Sequence, residues 1–100
     1  MIKINVIKNG DRITTITIKG HANYDEFGKD IVCSSVSSIV ATTVNGILSI
    51  DSSYIEYTVE NGNVTIKVMT DDEICFKLLE NMLMLFSELS EKYPKNIKIM

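Results

Sequence analysis

His21 and Cys33 are the residues of this chain best suited to do chemistry, and both fall in one short segment, GHANYDEFGKDIVCSSVSSIV. A thiolate attacks carbonyl carbon, and an imidazole takes and returns protons near neutral pH. His21 is the single histidine. If Cys33 acts as a nucleophile with an imidazole base, that base is His21. A free thiol titrates near ~8.5, whereas a His-paired catalytic thiol falls to about 3–4 and is ionised at neutral pH. Each residue also has a plainer reading. A lone cysteine is most often a small buried hydrophobe, and a histidine beyond a strand end is commonly a solvated turn residue.

The elements around the pair decide whether they can meet. Gly20 and Gly28 lie near the ends of the intervening stretch, with Asp25 and Glu26 in its middle, so it reads as a mobile loop. Val36, Ile39, Val40, Val44 and Ile47 recur at three and four residues, which predicts an amphipathic helix starting near Asp30 or Ile31. Asp30 is its expected N-cap. Cys33 is then the third helical residue, inside the first turn where the macrodipole is positive. It also lies on the stripe of Val36, Val40 and Val44. The helix ends between Asn45 and Ile50, with Gly46 either a stop or a close-packing residue.

The remaining elements supply a scaffold. Strands are expected over Ile2 to Ile7 and Ile13 to Lys19, joined at Asn9-Gly10-Asp11, with Ile2, Ile4, Val6, Ile16 and Ile18 inward. Ile55, Tyr57 and Val59 alternate in a third strand, Asn61-Gly62 is a hairpin turn, and Val64, Ile66 and Val68 form a fourth strand. Thr70-Asp71-Asp72-Glu73 reads as a capping box. The helix it opens places Ile74, Cys75, Leu78, Leu79, Met82, Leu85, Phe86 and Leu89 on its apolar positions and stops before Pro94. Asn96 to Met100 is a short last strand. The order ββαββαβ predicts an α+β, two-layer domain, two helices packed on a mostly antiparallel sheet.

Composition narrows the function. One hundred residues make one domain, here residues 1–100, large enough for a single core. The net charge is −3 with both signs interspersed, which argues against a surface built for nucleic acid. Two cysteines make no disulfide framework. There is no recognisable signal peptide, and no apolar run approaches the ~20 residues of a membrane span. The expectation is a soluble protein of the reducing cytoplasm. One histidine and two distant cysteines give no zinc spacing, and no phosphate-cradling glycine loop is present, so neither metal nor cofactor is expected.

Other residues of the segment have two readings each. Asp30 is an N-cap or the third member of a triad orienting His21; Asp25 and Glu26 are weaker orienting candidates. Backbone N–H groups at the helix start, that of Cys33 among them, are the expected oxyanion donors. Ser34 and Ser37 are candidates for lining the site, and Ser37 is otherwise a small packing residue whose hydroxyl bonds a helix carbonyl. Gly20 and Gly28 are hinges of a substrate-covering loop or ordinary turn glycines. Tyr24 and Phe27 are candidates for lining the site or else anchor the loop. Cys75 belongs to the core.

The pattern Gly20-His21-Ala22, then Gly28, then Asp30-Ile31-Val32-Cys33, then Ser37, resembles the ribosomal-processing cysteine protease family Prp of Firmicutes and related bacteria. The likeness continues through Thr42-Thr43-Val44-Asn45-Gly46 and the element order. It implies a cysteine endopeptidase, typically homodimeric, that removes the N-terminal extension of a large-subunit ribosomal protein during ribosome assembly. The implied cut falls after two aromatic residues and before a small one. It also implies Cys33 as nucleophile and His21 as general acid/base. Two rival readings remain: a non-catalytic module binding ribosomal protein or RNA with Cys33 merely buried, and a thiol redox sensor. The sensor ranks last because Cys75, the needed resolving thiol, reads as buried.

Overall fold

The computed structural model describes residues 1–26 and 28–100; Phe27, a loop candidate above, lies outside the described residues. The elements are β1 (Ile2–Asn9), β2 (Arg12–Lys19), α1 (Ile31–Ile50), β3 (Ile55–Glu60), β4 (Asn63–Val68), α2 (Glu73–Lys92) and β5 (Ile97–Ile99). The strands form one five-stranded sheet in the order β3-β4-β2-β1-β5. All pairings are antiparallel except β5 on β1. The two-layer α+β arrangement expected from the residue pattern is the one observed.

Alternation sets the inner face of the sheet. Ile2, Ile4, Ile16, Ile18, Ile55, Ile66 and Ile97 are buried against Val32, Val36, Val40, Val44 and Ile47 of α1 and Cys75, Leu79, Met82 and Phe86 of α2. Burial of apolar surface on this scale is the main force holding the layers together. Period two breaks once, in β2, where Ile13 and Ile16 are both buried. A bulge there sets Ile7 against Thr15 and Lys8 against Ile13, leaving Thr14 as the extra residue.

Several local expectations are corrected. The cap of α2 is Asp72, whose side chain accepts from the Ile74 and Cys75 N–H groups, not Thr70. Thr70 instead accepts the Asp72 N–H through its hydroxyl at 3.1 Å. On α2, Ile74 is exposed while Phe76 is buried. The Arg12 guanidinium covers the Phe76 ring at 4.6 Å, so a charged residue from β2 seals that apolar position. Gly46 is neither stop nor packing contact: the helix continues to Ile50, and the space where a Cβ would stand is open. Finally, α1 is a helix of 20 residues with mean hydropathy 1.7, long and apolar enough to cross a membrane by length and composition. It contradicts the expectation that no run approaches that length. Small hydroxyl and amide residues raise no charge barrier there, yet they form the outer face of a helix whose valine and isoleucine stripe packs on the sheet. Ser34, Ser35 and Thr42 bond their hydroxyls back to helix carbonyls.

Candidate active site

Asp30 organises the start of α1. It is buried, and its carboxylate accepts four backbone N–H groups. Oδ1 takes those of Val32 and Cys33, both at 3.0 Å. Oδ2 takes those of Tyr24 at 2.9 Å and Asp25 at 3.4 Å. One side chain therefore caps the helix and fastens the preceding loop. Burial pushes the Asp30 carboxyl up, but the N–H groups of Cys33, Tyr24, Asp25 and Val32 together outweigh it and hold the carboxyl below the ordinary value. Both oxygens are occupied by backbone donors, so of the two roles weighed for Asp30 the capping one is realised here.

The cap fixes Cys33 in the first helical turn, half-buried on the valine stripe. The residue is only partly buried, packed against the core without being sealed inside it. Sγ accepts the Ala22 N–H at 3.2 Å. Cys33 also borders a cavity of about 730 Å³ lined by His21, Asp30, Ser34, Ser37, Gly20 and Gly28. The structure thus brings together on one cavity nearly all the residues singled out from the sequence. His21 is exposed beside buried Ala22, with Gly20 between it and the end of β2 at Lys19. Ser34 and Ser37 are exposed on α1.

Glu26 and Tyr24 do not line the cavity. Tyr24 packs edge-on against Tyr93, centroids 5.3 Å apart at 78°, which is the anchoring role. The backbone N–H groups of Val32, Cys33 and Ser34 at the helix start, where oxyanion donors are expected, have acceptors within the chain. The N–H groups of Val32 and Cys33 go to the Asp30 side chain, and that of Ser34 to the Asp30 carbonyl. The sulfur's own backbone donor comes from Ala22 in the loop, a non-local contact that helix-start reasoning does not reach.

Gly20 has φ +90°, and a Cβ there would stand 2.5 Å from the Met1 carbonyl oxygen. Only glycine lets β2 turn into the His21 segment at that point. Gly28 also has positive φ, +87°, but open space around it.

The cavity continues as a groove between α1 and the β3–β4 hairpin, floored by Val36, Val40, Tyr57, Val59 and Val64. Tyr57 and Val59 alternate with Ile55 as a core-facing set, yet they are 38% and 56% exposed. Period two places them on the inner face, and the helix layer does not cover that stretch of the edge strand. Among the described residues no cluster of three His, Cys, Asp or Glu side chains suits a metal ion. Cys75 is fully buried; burial first, and the nearby Asp72 charge second, push its thiol up.

A half-buried thiol in the first turn of a helix, lining one cavity with an imidazole on a small α+β scaffold, has the residue types that a thiol hydrolase uses. Comparison with known proteins gives the class its family. The family model described as cysteine protease Prp matches residues 1–98, and the chain belongs to that family of ribosomal processing cysteine proteases. The ribosomal processing cysteine protease Prp of Staphylococcus aureus is 30% identical over 103 residues, covering 99% of this chain and 97% of that protein. Two crystal structures of an essential ribosomal processing protease Prp from Staphylococcus aureus superpose on it, each at 25% identity. The complex with a covalently linked product peptide has a TM-score of 0.92, covering 99% of this chain and 97% of that one. The complex with a substrate peptide has a TM-score of 0.85, covering 100% and 98%. The chain is a cysteine protease, and the purely non-catalytic reading is set aside.

Proposed function

We propose that Cys33 and His21 form the catalytic dyad, and that the substrate is the N-terminal extension of a large-subunit ribosomal protein. The observation that carries this is that Cys33 and His21 line one cavity, which continues over apolar Val36, Val40, Tyr57, Val59 and Val64. The thiolate attacks the scissile carbonyl carbon and a tetrahedral oxyanion forms. The C–N bond then breaks, and His21 gives its proton to the leaving amine. The thioester left on Cys33 is attacked by water, whose proton His21 takes, and the C–S bond breaks to release the acid and restore the thiolate. No metal or cofactor enters this sequence of steps.

The groove supports an extended peptide with apolar side chains on the acyl side. Tyr57, Val59 and Val64 present apolar surface there, suited to the aromatic residues that the family resemblance places before the cut. A net charge of −3 is electrostatically compatible with a basic protein partner. The same reading carries a homodimer acting in the cytoplasm, checked by light scattering and by cell fractionation.

The test is cleavage of a synthetic peptide carrying an aromatic-aromatic-small junction from the N-terminus of the candidate ribosomal protein. Cutting at that junction is expected from the unmodified chain and loss of cutting from Cys33→Ala and His21→Ala, with binding of the uncut peptide retained. An intact peptide after prolonged incubation with the unmodified chain contradicts the substrate assignment.

A further inference from the structure

Asn96 is distant in sequence from the catalytic segment, yet its side chain grips it. The Asn96 Nδ2–H donates to the Ala22 carbonyl at 2.9 Å. Ala22 in turn donates its N–H to Cys33 Sγ at 3.2 Å. Asn96 is itself held on both sides. Its N–H donates to the Tyr93 carbonyl at 3.0 Å, and its carbonyl accepts the Ile2 N–H at 2.8 Å. The corner between α2 and β5 is therefore tied to the sheet and to the loop at once. A second tether runs from the same corner, where the Tyr93 ring meets Tyr24. Ala22 is 1% exposed while His21 and Asn23 on either side are exposed, so the loop is pinned at one buried residue.

We propose that Asn96 is a positioning residue for the catalytic thiol: by holding the Ala22 carbonyl, its amide keeps the Ala22 N–H on Cys33 Sγ and sets the His21 backbone beside it. The inference rests on the assignment of Cys33 as nucleophile and goes beyond it, because it places part of the machinery at the far end of the chain. A donor N–H on sulfur favours the anion over the neutral thiol, since hydrogen bonds to charged acceptors are the stronger ones. Freed from Asn96, Ala22 can turn its N–H away while the helix cap at Asp30 stays intact. The titratable groups that share the cavity with Cys33 are His21, Asp25, Asp30 and Tyr57, and the test leaves all four unchanged.

The test uses the full chain with Asn96→Leu, which keeps shape without a donor or a new charge, and Asn96→Ala as a second, smaller variant at this half-buried site. The rate of Cys33 alkylation by iodoacetamide is measured across about pH 3 to pH 10, with no peptide present. The pH at which the rate is half-maximal is expected to rise by about one unit, the size of one lost hydrogen bond to a charged acceptor. In the cleavage assay kcat is expected to fall about ten-fold with KM changed less than about two-fold. A merely structural role would loosen the loop and speed labelling at every pH, leaving the midpoint unmoved. An unmoved midpoint in whichever variants fold overturns the proposal. The midpoint is independent of proteolysis: a chain that cuts no peptide sinks the protease assignment, and the midpoint still decides the role of Asn96.

Discussion

Replacing Asp30 separates two functions that one carboxylate performs. Asn caps helices about as well as Asp, so Asp30→Asn retains an oxygen for the Val32 and Cys33 N–H groups. It turns an amide toward the Tyr24 and Asp25 N–H groups, which the carboxylate accepts at 2.9 and 3.4 Å. Loss of hydrogen bonding to a charged acceptor in this setting costs about 2 kcal/mol. Asp30→Ala loses the cap as well, about 1 kcal/mol more. For a domain of this size the expected falls in Tm are roughly 10 °C and 15 °C. The pH dependence has a definite sign. The folded carboxyl is held below its ordinary value, so its stabilisation is present above about pH 4 and is lost as pH falls through the folded value. Asn does not titrate there, so the gap between the unmodified chain and Asp30→Asn should close in acid. Urea unfolding at pH 7 and at steps down to pH 2.5 measures it. Equal stability of Asp30→Asn and the unmodified chain at pH 7, or a gap that persists undiminished in acid, refutes the reasoning.

Three further outcomes follow from the geometry. Gly20→Ala should destabilise by about 3 kcal/mol, combining positive-φ strain with a clash against the Met1 carbonyl, whereas Gly28→Ala, with open space, should cost about 1 kcal/mol in thermal unfolding. Iodoacetamide at pH 6 should label Cys33 at least ten-fold faster than the buried Cys75 by peptide mass spectrometry, and equal slow labelling would contradict an accessible sulfur. Val59→Asp, a charge placed on the apolar floor, should raise KM for peptide cleavage about ten-fold with the fold intact by circular dichroism, and an unchanged KM would remove the groove from substrate binding.

What could be read from the residues alone was local. Asp30 lies three residues before Cys33, and capping is a short-range interaction, so the first turn of α1 was legible with its cap and its thiol. The core stripe of α1 was legible for the same reason. The contacts of Ala22 with Cys33 and of Asn96 with Ala22 join distant segments, and nothing in residue type or spacing announces them. Tyr57 and Val59 show a different limit. Alternation reports which face of a strand a residue occupies, not whether a helix covers that face, so groove residues look like core. Thr70 and Asp72 are both good caps within one short run, and only the path of the chain selects Asp72. Phe76 was missed because its cover is Arg12, a charged residue from another element.

The most direct test of Cys33 as the nucleophile is intact-mass spectrometry of the protein quenched during its first turnovers with the candidate peptide. The account predicts an added mass equal to the acyl-side fragment, mapped to Cys33 and absent in Cys33→Ala. Peptide cleavage that continues in Cys33→Ala would contradict it.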